Sequence, residues 1–199
     1  MKRCPSPKTI AFLLLPLLFT VPAAAESSTW EGACEVRFAG KATLHDFTGT
    51  VTAEPFTAKI THPDDPSRAN ASARVVVEVD KMDTDNKKRD REMRKTLEAK
   101  RFPEIVVTAD VTMEDLQPRQ GANGPEPSVI PCTLTLMGKD HRFTASVSDW
   151  SRTADTVRFS VSFPLSLEDL GIEPPTAMGG LVRVKDRIQV SARITLEKR

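Results

Sequence analysis

The sequence has few of the residues that build metal centres or disulfide scaffolds. Its 199 residues include three cysteines and three histidines, and no tyrosine. Three cysteines are too few to hold a chain of this length together, so a hydrophobic core must do so. The histidines His45, His62 and His141 lack metal-ligand spacing, and no Cys-x-x-Cys pair occurs. We therefore expect no metal site.

The charges are too evenly balanced for nucleic acid binding. The chain has 28 Lys and Arg against 27 Asp and Glu, whereas nucleic-acid-binding proteins usually carry a concentrated basic surface. The sequence also lacks a nucleophile elbow, a phosphate-binding loop and a dinucleotide-binding fingerprint. His45-Asp46 is the one conceivable acid–base pair, but neighbours on a strand point to opposite faces. We expect that the chain is not an enzyme, and that it has no cofactor and no nucleic acid partner.

The N-terminal segment has the composition of a secretory signal peptide. Three basic residues precede an almost wholly apolar run over residues 10–21, and residues 23–25 are alanines. The run is shorter than the roughly 20 residues that a membrane-spanning helix needs. We predict a signal peptide over 1–25, a single domain over 26–199, and a periplasmic or secreted protein. Cleavage would leave 25 basic and 27 acidic residues, a net charge of −2.

Alternation of apolar and polar residues dominates the rest of the chain and predicts strands with one buried face. The clearest examples are residues 105–113, 157–165 and 188–196. The segment 50–60 is less regular, because Pro55 interrupts it and predicts a bend. A tight turn at 138–141 indicates a hairpin, and strands joined by short turns are antiparallel. About eight such strands indicate an all-β fold, either a closed barrel or a sandwich.

One segment has a helical pattern instead. Residues 85–100 are rich in helix formers, and Met93 and Leu97 share one face, which predicts a single amphipathic helix with a solvated charged surface. A second helical turn is expected at 166–170. Polar turns are expected at 62–66 and 117–127, where proline and glycine cluster.

The two cysteines of the predicted domain lie on the apolar faces of separate strands. Export would allow Cys34 and Cys132 to pair, but a disulfide needs Cβ atoms about 3.5–4.5 Å apart. Two free, buried thiols that act as small hydrophobic groups are the other possibility. The sequence leaves both alternatives open.

Four segments together resemble a known family. They are A-T-L-H-D-F-T-G-T at 42–50, the helical stretch that runs into F-P-E-I at 89–105, C-T-L-T-L-M-G at 132–138, and the stretch containing L-G-I-E-P-P-T-A at 167–190. In this order and spacing they are similar to the YceI-like family of exported bacterial lipid- or polyisoprenoid-binding proteins. The resemblance extends from about Trp30 to Leu196.

The resemblance implies a lipocalin-like, eight-stranded antiparallel β-barrel with a helix at its side or mouth. It further implies that a long isoprenoid lipid, such as a quinone tail or a polyprenyl chain, lies along the lumen. Contact with a membrane or a membrane cytochrome, and a homodimer, are compatible with this role. Glu92 stands where many family members carry histidine, so the head-group preference of this chain is open.

A hydrocarbon chain needs an apolar tube rather than a motif, since each buried CH₂ group contributes about 0.8 kcal/mol. The alternative is a barrel with a packed interior that acts on a protein partner as a structural or stress-response module. A third alternative, an enzyme using His45, Asp46 and a cysteine, ranks well behind. From the alternation we predict that the lumen is lined by Phe38, Leu44, Phe47, Val77, Met93, Leu97, Val107, Val111, Leu134, Phe143, Phe159, Val161, Ile188 and Val190.

Overall fold

The computed structural model describes residues 26–62, 69–121 and 124–199. The predicted signal peptide and most of the predicted turn at 62–66 lie outside these ranges. The α-helix of the described residues is α1 (Lys87–Thr96). The strands are β1 (Glu26–Ala42), β2 (Phe47–Thr52), β3 (Phe56–His62), β4 (Asn70–Glu78), β5 (Glu104–Thr112), β6 (Arg119–Gly121), β7 (Gly124–Glu126), β8 (Ser128–Leu136), β9 (Lys139–Arg152), β10 (Thr156–Ser166), β11 (Thr176–Ala177) and β12 (Val182–Lys198).

Eight of these strands close into an antiparallel barrel. Their order around the wall is β12, β10, β9, β8, β5, β4, β3, β1, and β1 pairs again with β12. Closure removes the exposed strand edges that an open sheet would leave unpaired. The predicted all-β class and the eight-stranded antiparallel barrel are confirmed, and the sandwich alternative is wrong.

The long strand β1 has two different partners on one side. Its first half, through Gly32, pairs with β3, and its second half, from Glu35, pairs with β2. The chain between β2 and β3 contains Pro55, as the sequence predicts, and the Ala53 N–H donates to the carbonyl of Cys34 (2.9 Å). The proline, which has no N–H to donate to a ladder, therefore marks where the strand bends.

The antiparallel order places the connections at two ends of the barrel. The mouth end carries the turn at 43–46, the segment 79–103 with α1, and the segment 167–181. The far end carries the segment 113–127, which includes the small β6–β7 ribbon. Trp30, Leu116 and Val157 are buried towards the far end, so side chains fill that end of the barrel.

The helix and turns follow local signals in the sequence. Helix α1 begins after Asn86, whose side chain accepts hydrogen bonds from the N–H groups of Lys88 and Arg89 (3.1 Å each). It is shorter than the predicted 85–100. The predicted hairpin is present, but its turn residues are Met137 and Gly138, both at positive φ. The predicted second helical turn is also present, since the Leu170 N–H donates to the Ser166 carbonyl (3.2 Å).

Helix α1 is far too short to cross a bilayer, and the described residues contain no helix long and apolar enough to do so.

Candidate ligand-binding site

A cavity of about 360 Å³ occupies the interior of the barrel. Ligand sites in proteins commonly measure about 300–1,000 Å³, so this volume suits a small ligand or part of a long one. Every barrel strand except β9 contributes to the lining. Most of the lining is apolar, and it also includes two thiols. Four polar side chains line the cavity towards the mouth end, and they are Thr84, Arg89, Glu92 and Thr96.

Three aromatic rings of the lining lie opposite glycines on the neighbouring strand. A Cβ atom built on each glycine would overlap the ring that faces it. The glycines therefore let the rings lie against the wall, which leaves the middle of the barrel open. The pairs are Phe38 with Gly49, Phe47 with Gly40, and Phe56 with Gly32.

A row of small side chains crosses the adjoining part of the wall. Ala58, Ala73, Ala109 and Cys132 are direct neighbours on β3, β4, β5 and β8. All four line the cavity. Small residues at one level of four adjacent strands widen the lumen there, because larger side chains would fill it.

Twelve of the fourteen side chains predicted to face the lumen do line the cavity, although their contact with a ligand stays a prediction. They are Phe38, Phe47, Val77, Met93, Leu97, Val107, Val111, Leu134, Phe159, Val161, Ile188 and Val190.

The predicted lumen position of Leu44 is wrong, whereas Phe143 faces inwards opposite Cys132 but does not reach the cavity. Leu44 is 58% exposed, because β1 ends at Ala42 and the alternation of the strand does not continue into the turn. Phe143 is on β9, the strand that contributes nothing to the lining. Its ring packs against Phe163 at 4.3 Å between centroids, and the Phe163 ring is the one that reaches the cavity.

Cys34 and Cys132 both line the cavity as free, buried thiols. The possible disulfide is therefore not formed, and the second alternative from the sequence holds. Burial raises the pKa of each thiol to about 11, and the charge of Glu35 adds to the effect at Cys34. Neither thiol is an activated nucleophile, because the reactive form is the thiolate.

Thr84 organises the polar groups at the mouth. Its N–H (3.0 Å) and its hydroxyl (2.5 Å) donate to the buried carboxylate of Asp90. Arg89 donates from Nε to the Thr84 hydroxyl (2.9 Å) and from Nη2 to the Thr84 carbonyl (2.6 Å). The guanidinium carbon of Arg89 lies 5.3 Å from the centre of the Phe47 ring, within cation–π range. This network fixes α1 beside the cavity.

The charge run of α1 is thus only partly the solvated surface that the sequence predicts. Lys87, Lys88 and Arg91 are exposed. Arg94 instead reaches back to the chain before the helix, where its Nη2 donates to the carbonyl of Asp80 (2.8 Å). Sequence reasoning missed that Arg89, Asp90 and Arg94 turn back towards the chain that precedes the helix, and their spacing along α1 is the only sign of it in the sequence.

Glu92 is exposed and also lines the cavity, so the cavity opens to solvent beside α1. The opposite rim comes from the segment 167–175, in which Leu170 and Ile172 are buried. Sequence reasoning assigned no lining residue to this segment. The L-G-I-E-P-P stretch could have indicated these lining residues. Its prolines disfavour a helix or a central strand, yet it contains two large apolar residues.

The cavity lining includes none of the histidines that the structure describes. Within the described ranges, no group of three or more His, Cys, Asp or Glu side chains could hold a metal ion. His45 and Asp46 are both exposed in the turn between β1 and β2. His141 lies half-buried on β9 rather than in the predicted turn.

The closed barrel, its apolar lumen and the polar rim at one end define a lipocalin-like β-barrel protein. The chain belongs to the YceI-like domain family, whose model matches residues 27–196. This match confirms the family that the sequence resembles. A comparison with curated proteins found no match.

Solved structures share the fold. BcnA of Burkholderia cenocepacia is 18% identical, with a TM-score of 0.59, over 81% of this chain and 95% of that one. A domain from Saccharophagus degradans, described as polyisoprenoid binding and implicated in plant cell wall breakdown, is 15% identical, with a TM-score of 0.59, over 87% and 100%. The Campylobacter jejuni YCEI protein is 16% identical, with a TM-score of 0.54, over 79% and 87%.

Proposed function

We propose that this chain is an exported, non-catalytic binding protein that holds a polyisoprenoid or similar long-chain lipid in the barrel lumen. The observation that carries the proposal is the apolar cavity of about 360 Å³. Buried side chains close it towards the far end of the barrel, and it opens to solvent beside α1. The polyisoprenoid-binding description of the Saccharophagus domain, which has the same fold, supports this choice of ligand.

The arrangement of the lining gives the ligand a direction. Hydrocarbon gains free energy wherever it leaves water, about 0.8 kcal/mol for each CH₂ group, so the chain enters the apolar part of the lumen. The polar head then stays at the mouth, where Arg89, Glu92 and Thr96 line the cavity. A quinone or polyprenyl head group would meet these three side chains.

Several further features belong to the same proposal. Residues 1–25 direct export to the periplasm or beyond, and the lipid comes from contact with a membrane or a membrane cytochrome. A homodimer would be compatible with all of these features. The alternative role, a barrel with a packed interior that acts on a protein partner, predicts no open lumen.

Organic extraction of the natively purified protein, followed by mass spectrometry, tests the proposal directly. We expect a polyprenyl species in the extract. We also expect the purified chain to bind geranylgeraniol, a short isoprenoid alcohol that serves as the probe.

Ala109 and Thr108 offer a matched pair of variants. Ala109 lines the cavity, whereas its neighbour Thr108 is exposed on the outer wall. Ala109→Phe should block the lumen and abolish geranylgeraniol binding, and Thr108→Phe should leave it unchanged. Lipid-free extracts together with equal binding by the two variants would contradict the proposal.

A further inference from the structure

Two of the three large hydrophobic side chains that are exposed in the described ranges lie on neighbouring turns at the mouth end. Leu44 is 58% exposed and Leu181 is 72% exposed. The Thr43 N–H (3.0 Å) and hydroxyl (3.2 Å) both donate hydrogen bonds to the Arg183 carbonyl. These bonds connect the two turns. We call Leu44 and Leu181 the leucine tip.

Apolar surface continues from the leucine tip into the lumen. Phe47 follows Leu44 by three residues and Val184 follows Leu181 by three, and both Phe47 and Val184 line the cavity. Isolated exposed leucines need no explanation. A pair at the opening of an apolar cavity does, because water-exposed apolar surface of this kind marks contact sites.

The two segments that carry the leucine tip are mainly basic. Asp46 and Asp186 are the acidic residues in the segments 41–46 and 178–187. The Asp186 carboxylate accepts hydrogen bonds from the Ser166 hydroxyl (3.0 Å) and the Glu168 N–H (2.9 Å), so it is already engaged within the fold. Four basic side chains in the same segments are exposed, and they are Lys41, Arg183, Lys185 and Arg187.

We infer that the leucine tip docks the mouth of the barrel onto an anionic lipid bilayer. Two leucines would insert among the lipid chains while the basic side chains contact anionic head groups. Each of these attractions is weak alone, and together they give reversible binding. The inference rests on the proposed function, because the bilayer would supply the isoprenoid to the lumen.

Cosedimentation of the full chain with vesicles tests the docking. One set of vesicles is phosphatidylcholine alone, and the other is phosphatidylcholine and phosphatidylglycerol in equal parts. We expect binding to the anionic vesicles at low salt, and weaker binding at high salt because salt screens the basic side chains. All variants keep the same N-terminal sequence, so any contribution of residues 1–25 cancels.

Leu44→Ser and Leu181→Ser should each weaken binding to the anionic vesicles about tenfold, the effect of losing part of a buried leucine side chain. Val129→Ser is the matched control, since Val129 is 53% exposed on β8 towards the far end. It should bind as the unchanged chain does. Lys185→Glu should weaken binding to the anionic vesicles only.

Geranylgeraniol binding by each variant separates the two proposals. Retained geranylgeraniol binding shows that a leucine variant is folded. If such variants and Val129→Ser sediment equally, or if the unchanged chain ignores both vesicle types, docking by the leucine tip is overturned while the lumen function stands. If the unchanged chain docks but binds no geranylgeraniol, the lumen function fails instead. Docking only to an acidic protein would also overturn the inference.

Discussion

Phe38 on β1 lies directly opposite Gly49 on β2, and the Phe38 ring occupies the space that a Cβ atom at Gly49 would need. The ring therefore lies against the wall instead of across the lumen. We expect Gly49→Ala to push the ring towards the cavity, at a cost of about 1–3 kcal/mol in the free energy of unfolding. Urea denaturation measures the loss, and weaker geranylgeraniol binding should accompany it.

Ala33→Val is the control for added side-chain volume. Ala33 is exposed on the outer face of β1, so a larger side chain there meets solvent and should leave both stability and binding nearly unchanged. Equal stability of Gly49→Ala and Ala33→Val would show that the close approach of Phe38 and Gly49 does not shape the lumen.

Asp90 is the buried acceptor that holds the mouth together. Asp90→Ala would leave the N–H and hydroxyl of Thr84, itself buried, without their acceptor. An unpaired buried polar group costs about 1–3 kcal/mol, so we expect the free energy of unfolding to fall by this amount. Asp90→Asn keeps one acceptor oxygen and should lose less. Chemical denaturation of both variants gives the comparison, and an Asp90→Ala variant as stable as Asp90→Asn would contradict it.

The barrel was predictable because most of its strands follow a period of two. The lumen positions from 105 to 111 and from 188 to 190 follow from alternation alone, since a closed wall turns every second side chain inwards. Leu44 departs from this rule, whereas Phe143 turns inwards but does not reach the cavity. Leu44 lies beyond the end of β1, where the alternation stops. The Phe163 ring lies between Phe143 and the cavity.

The polar rim could not be predicted from periodicity. Thr84, Arg89 and Asp90 meet through hydrogen bonds that join α1 to the chain before it, and a charge run in sequence does not show which charges turn inwards. The Gly–Phe pairs could not be predicted from the sequence either. Each pair joins two different strands, so its meaning depends on the register between them and not on either strand alone.

The thiols of Cys34 and Cys132 should react slowly and with an unusual pH dependence. Because the thiolate is the reactive form and burial raises each pKa to about 11, the alkylation rate should keep rising from pH 9 to pH 11. An ordinary exposed thiol levels off above about pH 9. Mass spectrometry of the two cysteine peptides after iodoacetamide treatment measures each rate separately.

Geranylgeraniol should slow the alkylation of both cysteines, since both line the cavity that the probe would fill. The same treatment of the unfolded chain in urea gives the unprotected rate. Rates that level off near pH 9 in the folded protein, or that are indifferent to geranylgeraniol, would place the thiols outside a closed apolar lumen.

Glu92 should decide how well the mouth tolerates a negatively charged head group. Its carboxylate lines the opening and is exposed to solvent, so it repels an anion held beside α1. Two unit charges about 4 Å apart in water interact by about 1 kcal/mol, which corresponds to about a fivefold change in affinity. Glu92→Gln should therefore bind geranylgeranyl diphosphate about fivefold more tightly, with an unchanged affinity for geranylgeraniol.

Glu114→Gln is the control, because Glu114 is exposed towards the far end, and it should alter neither affinity. Titration of the three proteins with both probes makes the comparison, and equal gains for Glu92→Gln and Glu114→Gln would mean that the head group does not sit beside α1.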